Sequence, residues 1–463
     1  MELYGRTKIY SDIHDIDESN ILSVVNKSLN IHSKNRTQIQ YLYDYYRGKQ
    51  EILNKTKRFC HDVNNKIVQN VANEIVSFKV GYFMGDSVMF VNKPGNDDFT
   101  DAINRLNEDC SLANKLPKDK RLMTWAFICG LGYRLTLPNM EAELDEESPF
   151  DIYVLDPRNT FMVYYNDFKE DRVLGVTYVE KEDNVCEYTC YTKDRVYVLT
   201  GSSTSADTIV EITPHICGDI PITEYIINDA RLGSFETVMS ELDLLNALLS
   251  DRIDAIDNFV EALLVVKGAS AEEDGTFRQI KELGGITLPE GADIKYLTNE
   301  LNQEQSQILA DYVYQSILNQ CGLPNRNGES STSDTGAAVM LRDGFFMADL
   351  RSKDYEALYK ESEKLFLKLA INYFNVYNGK KRLKETLTLS AIEIKMSRRN
   401  YENILEKSQT LTTMLSNPKI HPRLAFESCN MFPDPEVAYS ISKDYYEEEQ
   451  DKAVERLNEY ESL

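Results

Sequence analysis

At 463 residues, with 42% hydrophobic and 27% charged residues, the chain is long enough for two or three cores and has the make-up of an ordinary soluble protein. Its formal net charge of −24 is not ordinary. Duplex DNA is gripped by Lys and Arg that displace condensed counterions, so a chain this acidic is excluded as a clamp of nucleic acid over its whole surface, and any DNA contact is local or deliberately weak.

After a polar start, Asp17 and Ser33 predict N-caps for helices over 18–31 and 34–46, the second stopped by Gly48. Ile67, Val71, Ile75 and Phe78 recur at helical spacing until Gly81 and Gly85 end the pattern. Two helices follow, over about 97–115 and 118–130, with Pro117 in the first turn of the second. From Tyr133 to Ile227 the period changes to two, in runs such as DRVLGVTYV, VCEYTCY and RVYVLTG, which predicts an antiparallel meander packed on the preceding helices.

The segment 234–266 holds no Gly or Pro. On a helical wheel Phe235, Val238, Leu242, Leu245, Leu249, Ile253, Ile256, Val260 and Leu263 fall within an arc of about 80°, which predicts one long amphipathic helix. Glu236, Asp243, Asp254, Asp257 and Glu261 form a second stripe about 120° away, with Asp251 on its flank and Arg252 as the segment's only basic residue. Such a strip is either a solvated face or a face toward something it must not bind tightly. A compact insert over 267–302 predicts a short helix near 277–282 and strands at 286–288 and 294–297, and helical spacing returns over 303–320. The stretch 321–335, CGLPNRNGESSTSDT, is a long turn-prone loop, functional or unstructured by its length. A further long helix over 336–374, with a kink or break at Gly344, a strand over 392–396 and more helices complete the chain.

The sequence offers no catalytic or metal-binding pattern. The Cys residues 60, 110, 129, 186, 190, 217, 321 and 429 form no C-x-x-C and predict reduced thiols, and His14, His32, His61, His215 and His421 show no ligand spacing. There is no G-x-x-x-x-G-K-[ST] and no G-x-S-x-G, and pairs such as Asp97-Asp98 lie in polar loops. The longest aliphatic run is 262–266, far short of the roughly 20 residues of a membrane span.

Several short clusters, in this order and spacing, carry a resemblance: Tyr46-Arg47-Gly48; Asn64-Asn65-Lys66-Ile67-Val68 with Asn70; Gly81-Tyr82-Phe83-Met84-Gly85; Asp156-Pro157; Ile220-Pro221; Asn228; Arg231-Leu232-Gly233; Phe235-Glu236; Asn246; Ser250-Asp251; Gly268; Gly284-Gly285; Thr335-Gly336-Ala337-Ala338; and Asp434-Pro435-Glu436. Together they resemble the portal proteins of tailed bacteriophages, in the form found in long-tailed phages of Gram-positive hosts. That resemblance implies an α+β fold: an N-terminal arm (1–26), a wing of helices and antiparallel sheet (27–233), stem helices (234–266 and 301–320) bracketing a small αβ clip (267–300), a tunnel loop (321–335), a long kinked helix (336–384) and a helical crown (385–463). It implies a ring, usually of twelve copies, at one vertex of the phage head in the virion, assembled in the host cytoplasm beside the major capsid and scaffold proteins. Double-stranded DNA passes through it, pumped by the large terminase subunit, and a head-completion adaptor docks later. No cofactor is implied.

On this reading the stripe Glu236, Asp243, Asp254, Asp257 and Glu261 faces the bore, where like charge keeps phosphates from adhering; the alternative is water outside the ring or basic groups of a neighbour. In the tunnel loop Asn325, Arg326, Asn327, Ser330, Ser331, Thr332 and Ser333 touch DNA lightly and without reading sequence. Glu272, Glu273, Asp274, Arg278, Lys281 and Glu282 of the clip offer a docking surface. Two other readings stay open at this point: a metal-dependent nuclease exploiting clustered Asp and Glu, and a different minor head protein.

Overall fold

A computed structural model describes residues 5–57, 63–93, 99–142, 146–260, 263–267, 293–297, 303–324, 344–381, 386–396, 404–429, 431–432, 435 and 438–449. In chain order it forms β1 (Ile9–Ser11), α1 (Ile21–Tyr46), α2 (Val71–Phe83), β2 (Val88–Asn92), α3 (Thr100–Leu112) and α4 (Lys115–Cys129). Eight strands follow: β3 (Leu131–Pro138), β4 (Phe150–Leu155), β5 (Thr160–Tyr165), β6 (Arg172–Glu180), β7 (Cys186–Tyr191), β8 (Arg195–Gly201), β9 (Ala206–Pro214) and β10 (Ile222–Ile226). Then come α5 (Met239–Val260), β11 (Leu263–Lys267), β12 (Asp293–Leu297), helices Gln303–Cys321 and Phe345–Lys381, β13 (Ile392–Met396), and helices Ile404–Leu415 and Pro422–Cys429. This is the α+β content expected. The chain divides into two compact units, one of residues 1–46, 72–237 and 318–463, the other of residues 47–71 and 238–317.

The larger unit is built on a six-stranded sheet in the order β1-β5-β6-β7-β8-β9. The meander β5 to β9 is antiparallel throughout, but β1, from the stretch read as a polar arm, pairs in parallel with β5 through Ile9, Tyr10 and Ser11. Its core joins Ile21, Val24, Val25 and Leu29 of α1 to Val163, Leu174, Val176, Tyr188 and Leu199 of the sheet. The outer strand β9 is mostly exposed, its register against β8 shifts twice, and Asn26 of α1 holds both the N–H and the carbonyl of Ala206 at its start. A three-stranded sheet, β10-β3-β4, packs against α4 and the Phe345–Lys381 helix, and β13 pairs with β2.

The break expected at Ser33 is absent. Buried residues recur without interruption from Ile21 to Tyr45, and the Ser33 hydroxyl donates to the Asn30 carbonyl at 2.8 Å, so its polar group is satisfied inside a continuous helix. Asp17 does cap: its Oδ1 accepts the N–H of Ser19 and of Asn20.

His32 lies on the buried face of α1, its ring 4.7 Å from that of Phe161, with Nε2 donating to the Arg158 carbonyl at 3.0 Å. Burial lowers its pKa to about 4. The folded value lies below the unfolded one of about 6.5, so this contribution is complete above neutral pH and is lost as pH falls from about 6.5 toward 4, by about 2 kcal/mol at pH 5. Chemical denaturation at pH 7 and pH 5 should show that difference, and His32→Phe should flatten it; an unchanged slope in the variant would refute the assignment.

One closed ionic cluster ties the larger unit together. Lys115 Nζ meets Asp119 at 2.5 Å and Glu363 at 2.8 Å, while Arg134 pairs with Glu363 at 2.8 Å and with Asp119. All four residues are buried, Tyr225 Oη donates to Glu363 at 2.7 Å, and the Arg134 guanidinium lies over the Tyr225 and Phe366 rings. Burial alone would raise the Glu363 carboxyl; the Arg134 and Lys115 charges outweigh it and hold it below the usual range. The cluster joins α4, β3, β10 and the Phe345–Lys381 helix.

Candidate functional site

The acidic helix α5 is shorter than the expected rod. It is preceded by a 3-10 turn at Glu236–Val238 and ends at Val260, and Leu263–Lys267 is a strand paired antiparallel with β12. The run Leu-Leu-Val-Val suits a short strand as well as a helix, and the strand expected at 294–297 supplies the partner. Glu261, the tunnel-loop residues Asn325, Arg326, Asn327, Ser330, Ser331, Thr332 and Ser333, the clip residues Glu272, Glu273, Asp274, Arg278, Lys281 and Glu282, and the strand expected at 286–288 lie outside the described residues.

Within the smaller unit the extended segment before α2 runs alongside α5. The N–H of Gln69 donates to Asn246 Oδ1 (2.8 Å), that of Ile67 to Ser250 Oγ (2.9 Å) and that of Asn65 to Asp254 Oδ1 (2.7 Å). The register is dictated by geometry: four residues of helix advance about 6 Å and two residues of extended chain about 6.6 Å, so every second N–H of one meets every fourth side chain of the other. Asn246 also donates to Gln50, which itself donates to Asn70 at 3.1 Å, and Ser250 returns its proton to the Asn246 carbonyl at 2.7 Å. The clusters around 64–70 and 246–251, which carried the resemblance separately, are thus the two sides of one polar zipper.

Asp254 terminates it. Its carboxylate takes the Asn65 N–H and side-chain amide at 2.7 and 2.9 Å, Lys55 at 2.8 Å and Lys57 at 2.6 Å; Lys55 also reaches Asp251 at 2.7 Å, and Asn65 reaches Asp257 at 2.7 Å. Burial would raise this carboxyl, but the hydrogen bonds from Lys55, Lys57 and Asn65 overcome it and hold it far below the usual range. Residues 246, 250 and 254 are 0%, 0% and 2% exposed.

The expected free acidic strip is therefore corrected at two positions. Asp254 is enclosed by its own basic segment. Glu236, in the larger unit, is buried against Arg6 and accepts the Gly233 N–H, because it fixes the turn Arg231-Leu232-Gly233. That turn is packed to contact: a Cβ on Gly130 would lie 2.2 Å from the Arg231 carbonyl oxygen, one on Gly233 2.1 Å from that of Ile128, and Gly130 holds φ of +84°. Asp243 and Asp257 are half-buried, and Asp251 is exposed. Sequence reasoning missed Lys55, Lys57 and Asn65 as the partners. Asn65 stood in the Asn64-Asn65-Lys66 cluster, which periodicity does not interpret, whereas Lys55 and Lys57 lie outside it.

Among the described residues no group of three His, Cys, Asp or Glu could hold a metal ion, and no helix is long and apolar enough to cross a membrane. Over residues 25–461 the chain matches the family described as phage portal protein, SPP1 Gp6-like. It belongs to that family. The portal family is structural rather than enzymatic, and its members are oligomeric components of phage particles that serve as portals or connectors; the nuclease reading finds no support. No curated protein matches the sequence. Among solved structures, the chain is similar to one titled "Neck of empty GTA particle computed with C6 symmetry", at 12% identity and a TM-score of 0.47, covering 78% of this chain and 90% of that one.

Proposed function

We propose that this portal protein closes as a ring of twelve copies at one vertex of a long-tailed phage head, through which double-stranded DNA is packaged by the large terminase subunit and later released, with scaffold and major capsid proteins beside it and a head-completion adaptor docking afterwards. The observation that carries the reading is the family match across residues 25–461. The net charge of −24 supports a bore that repels a polyanion rather than gripping it. Asp254 and Glu236 are held in internal ion pairs, and on this reading Asp243, Glu261 and Asp257, which also accepts from Asn65, line that bore. The 325–333 segment touches DNA, and the 272–282 segment docks terminase and adaptor.

Replacing Asp243 and Glu261 by Lys should slow DNA filling of heads severalfold at low salt and much less at high salt, because screening weakens the new attraction. Equal filling at both would remove the repelling bore while leaving the ring, which an image of the purified particle with a central hole checks separately.

A further inference from the structure

In the larger unit, β4 is the outer strand of the β10-β3-β4 sheet, and its register against β3 runs without a shift. The Thr136 N–H donates toward β10, to the Pro221 carbonyl at 3.0 Å, and the Asn139 N–H donates toward β4, to the Pro149 carbonyl at 2.9 Å. Bonded and non-bonded pairs alternate along an antiparallel ladder. Asp151, Tyr153 and Leu155 therefore bond to β3, while Ile152 and Val154, opposite Thr136 and Arg134, turn their main-chain groups away from it. Neither finds another hydrogen-bond partner among the described residues. Ile152 is wholly buried, so its outward groups are shielded from water as well as unpaired, and a chain that supplied partners would recover that cost.

Beside this edge lies a groove of about 470 Å³, lined by Ile152, Tyr153 and Val154 of β4, by Lys118, Arg121 and Trp125 of α4, and by Tyr43 and Tyr46 of α1. Tyr43 stacks on Trp125 with ring centroids 4.9 Å apart, and the Arg158 guanidinium lies over both rings, so this wall is preformed. No acidic residue lines the groove, in a chain of net charge −24. Lys118 lies in the field of Asp151 and donates to the Ala113 carbonyl at 2.7 Å, which leaves the exposed Arg121 as the cation that a ligand meets.

We infer that this groove takes an extended, acidic peptide segment of another protein, which adds beside β4 as a further strand of the sheet. Its main chain pairs with Ile152 and Val154, an Asp or Glu side chain meets Arg121, and an apolar or aromatic side chain rests on Trp125 and Tyr153. An open strand edge next to a helix supplies both parts of such recognition, main-chain bonds for affinity and side-chain contacts for choice. Nucleic acid suits the groove less. The outward carbonyls of Ile152 and Val154 gain nothing from phosphate, Tyr43 and Trp125 stack on each other instead of standing open to bases, and the whole chain repels a polyanion. Nor does the acid-rich run 444–449 of a second copy fit, because it is helical. The inference is independent of the bore and of the number of copies.

The test uses the full chain and two labelled peptides of alternating Thr and Val with a central Trp, one carrying two Glu and the other two Lys. The Glu peptide should bind saturably, at least tenfold more tightly than the Lys peptide, and should slow hydrogen exchange at the Val154 amide. Methylating its central main-chain nitrogens should weaken it at least tenfold. Arg121→Glu, at an exposed position, should reverse the preference between the two peptides. Val154→Pro removes an outward donor without touching a bond to β3, so it should abolish binding while circular dichroism stays unchanged. Equal binding of both peptides, no saturable binding by either, or indifference to N-methylation would overturn the strand addition. Protection of the Val154 amide by a single-stranded oligonucleotide would reassign the groove to nucleic acid. The same protection on concentrating the chain alone would reassign it to a second copy.

Discussion

Glu363→Gln should lower the unfolding free energy by about 3–5 kcal/mol in chemical denaturation, the largest single effect expected in the larger unit. The substitution removes one of the cluster's two buried anions and leaves Arg134 and Lys115 sharing Asp119 alone, with the excess charge buried away from the surface. Arg134→Met should cost a similar amount for the opposite reason. Combining Arg134→Met with Glu363→Leu leaves Lys115 paired with Asp119 and restores neutrality, so the double variant should be more stable than the sum of the singles implies. If either single change costs less than about 1 kcal/mol, the cluster is not what joins α4, β3, β10 and the Phe345–Lys381 helix.

Asp254→Asn should free the segment before α2 from α5. The amide cannot accept from Lys55, Lys57 and Asn65 together, so about 2 kcal/mol of local stability is lost, and hydrogen exchange at the Asn65, Ile67 and Gln69 amides should quicken by roughly thirtyfold. The wild-type zipper should also open in acid. The folded carboxyl lies below its unfolded value of about 3.9, so its contribution is complete above about pH 5 and is lost as pH falls through the folded value. Unchanged protection of those three amides in the variant would show that Asp254 is not the closing element.

Much of the architecture was legible because it follows from periodicity. The strands β6, β7 and β8 coincide with the runs read at period two, and β12 and β13 with the strands expected at 294–297 and 392–396. The errors have specific causes. Ser33 looks like a cap, and only the structure shows its hydroxyl satisfied by Asn30 inside the helix. The acidic stripe of α5 was read from a wheel, which shows which residues share a face but not what covers it. Main-chain N–H groups of an extended segment have no side-chain signature, so the donors at 65, 67 and 69 could not be foreseen, although Asn246 and Ser250 stood out by their place in the resemblance.

The rim of the six-stranded sheet has a bearing on how many such molecules can be crowded together. A strand with an open edge is a template for pairing with any other chain, and a particle component gathered at high local concentration meets its own copies constantly. On β9, irregular spacing against β8 keeps the edge from lying straight, Asp207 and Glu211 add charge along it, and Asn26 occupies the backbone groups of Ala206. The result is a border that discourages ribbon-like stacking, so that association is left to side-chain surfaces, which can close on themselves and stop.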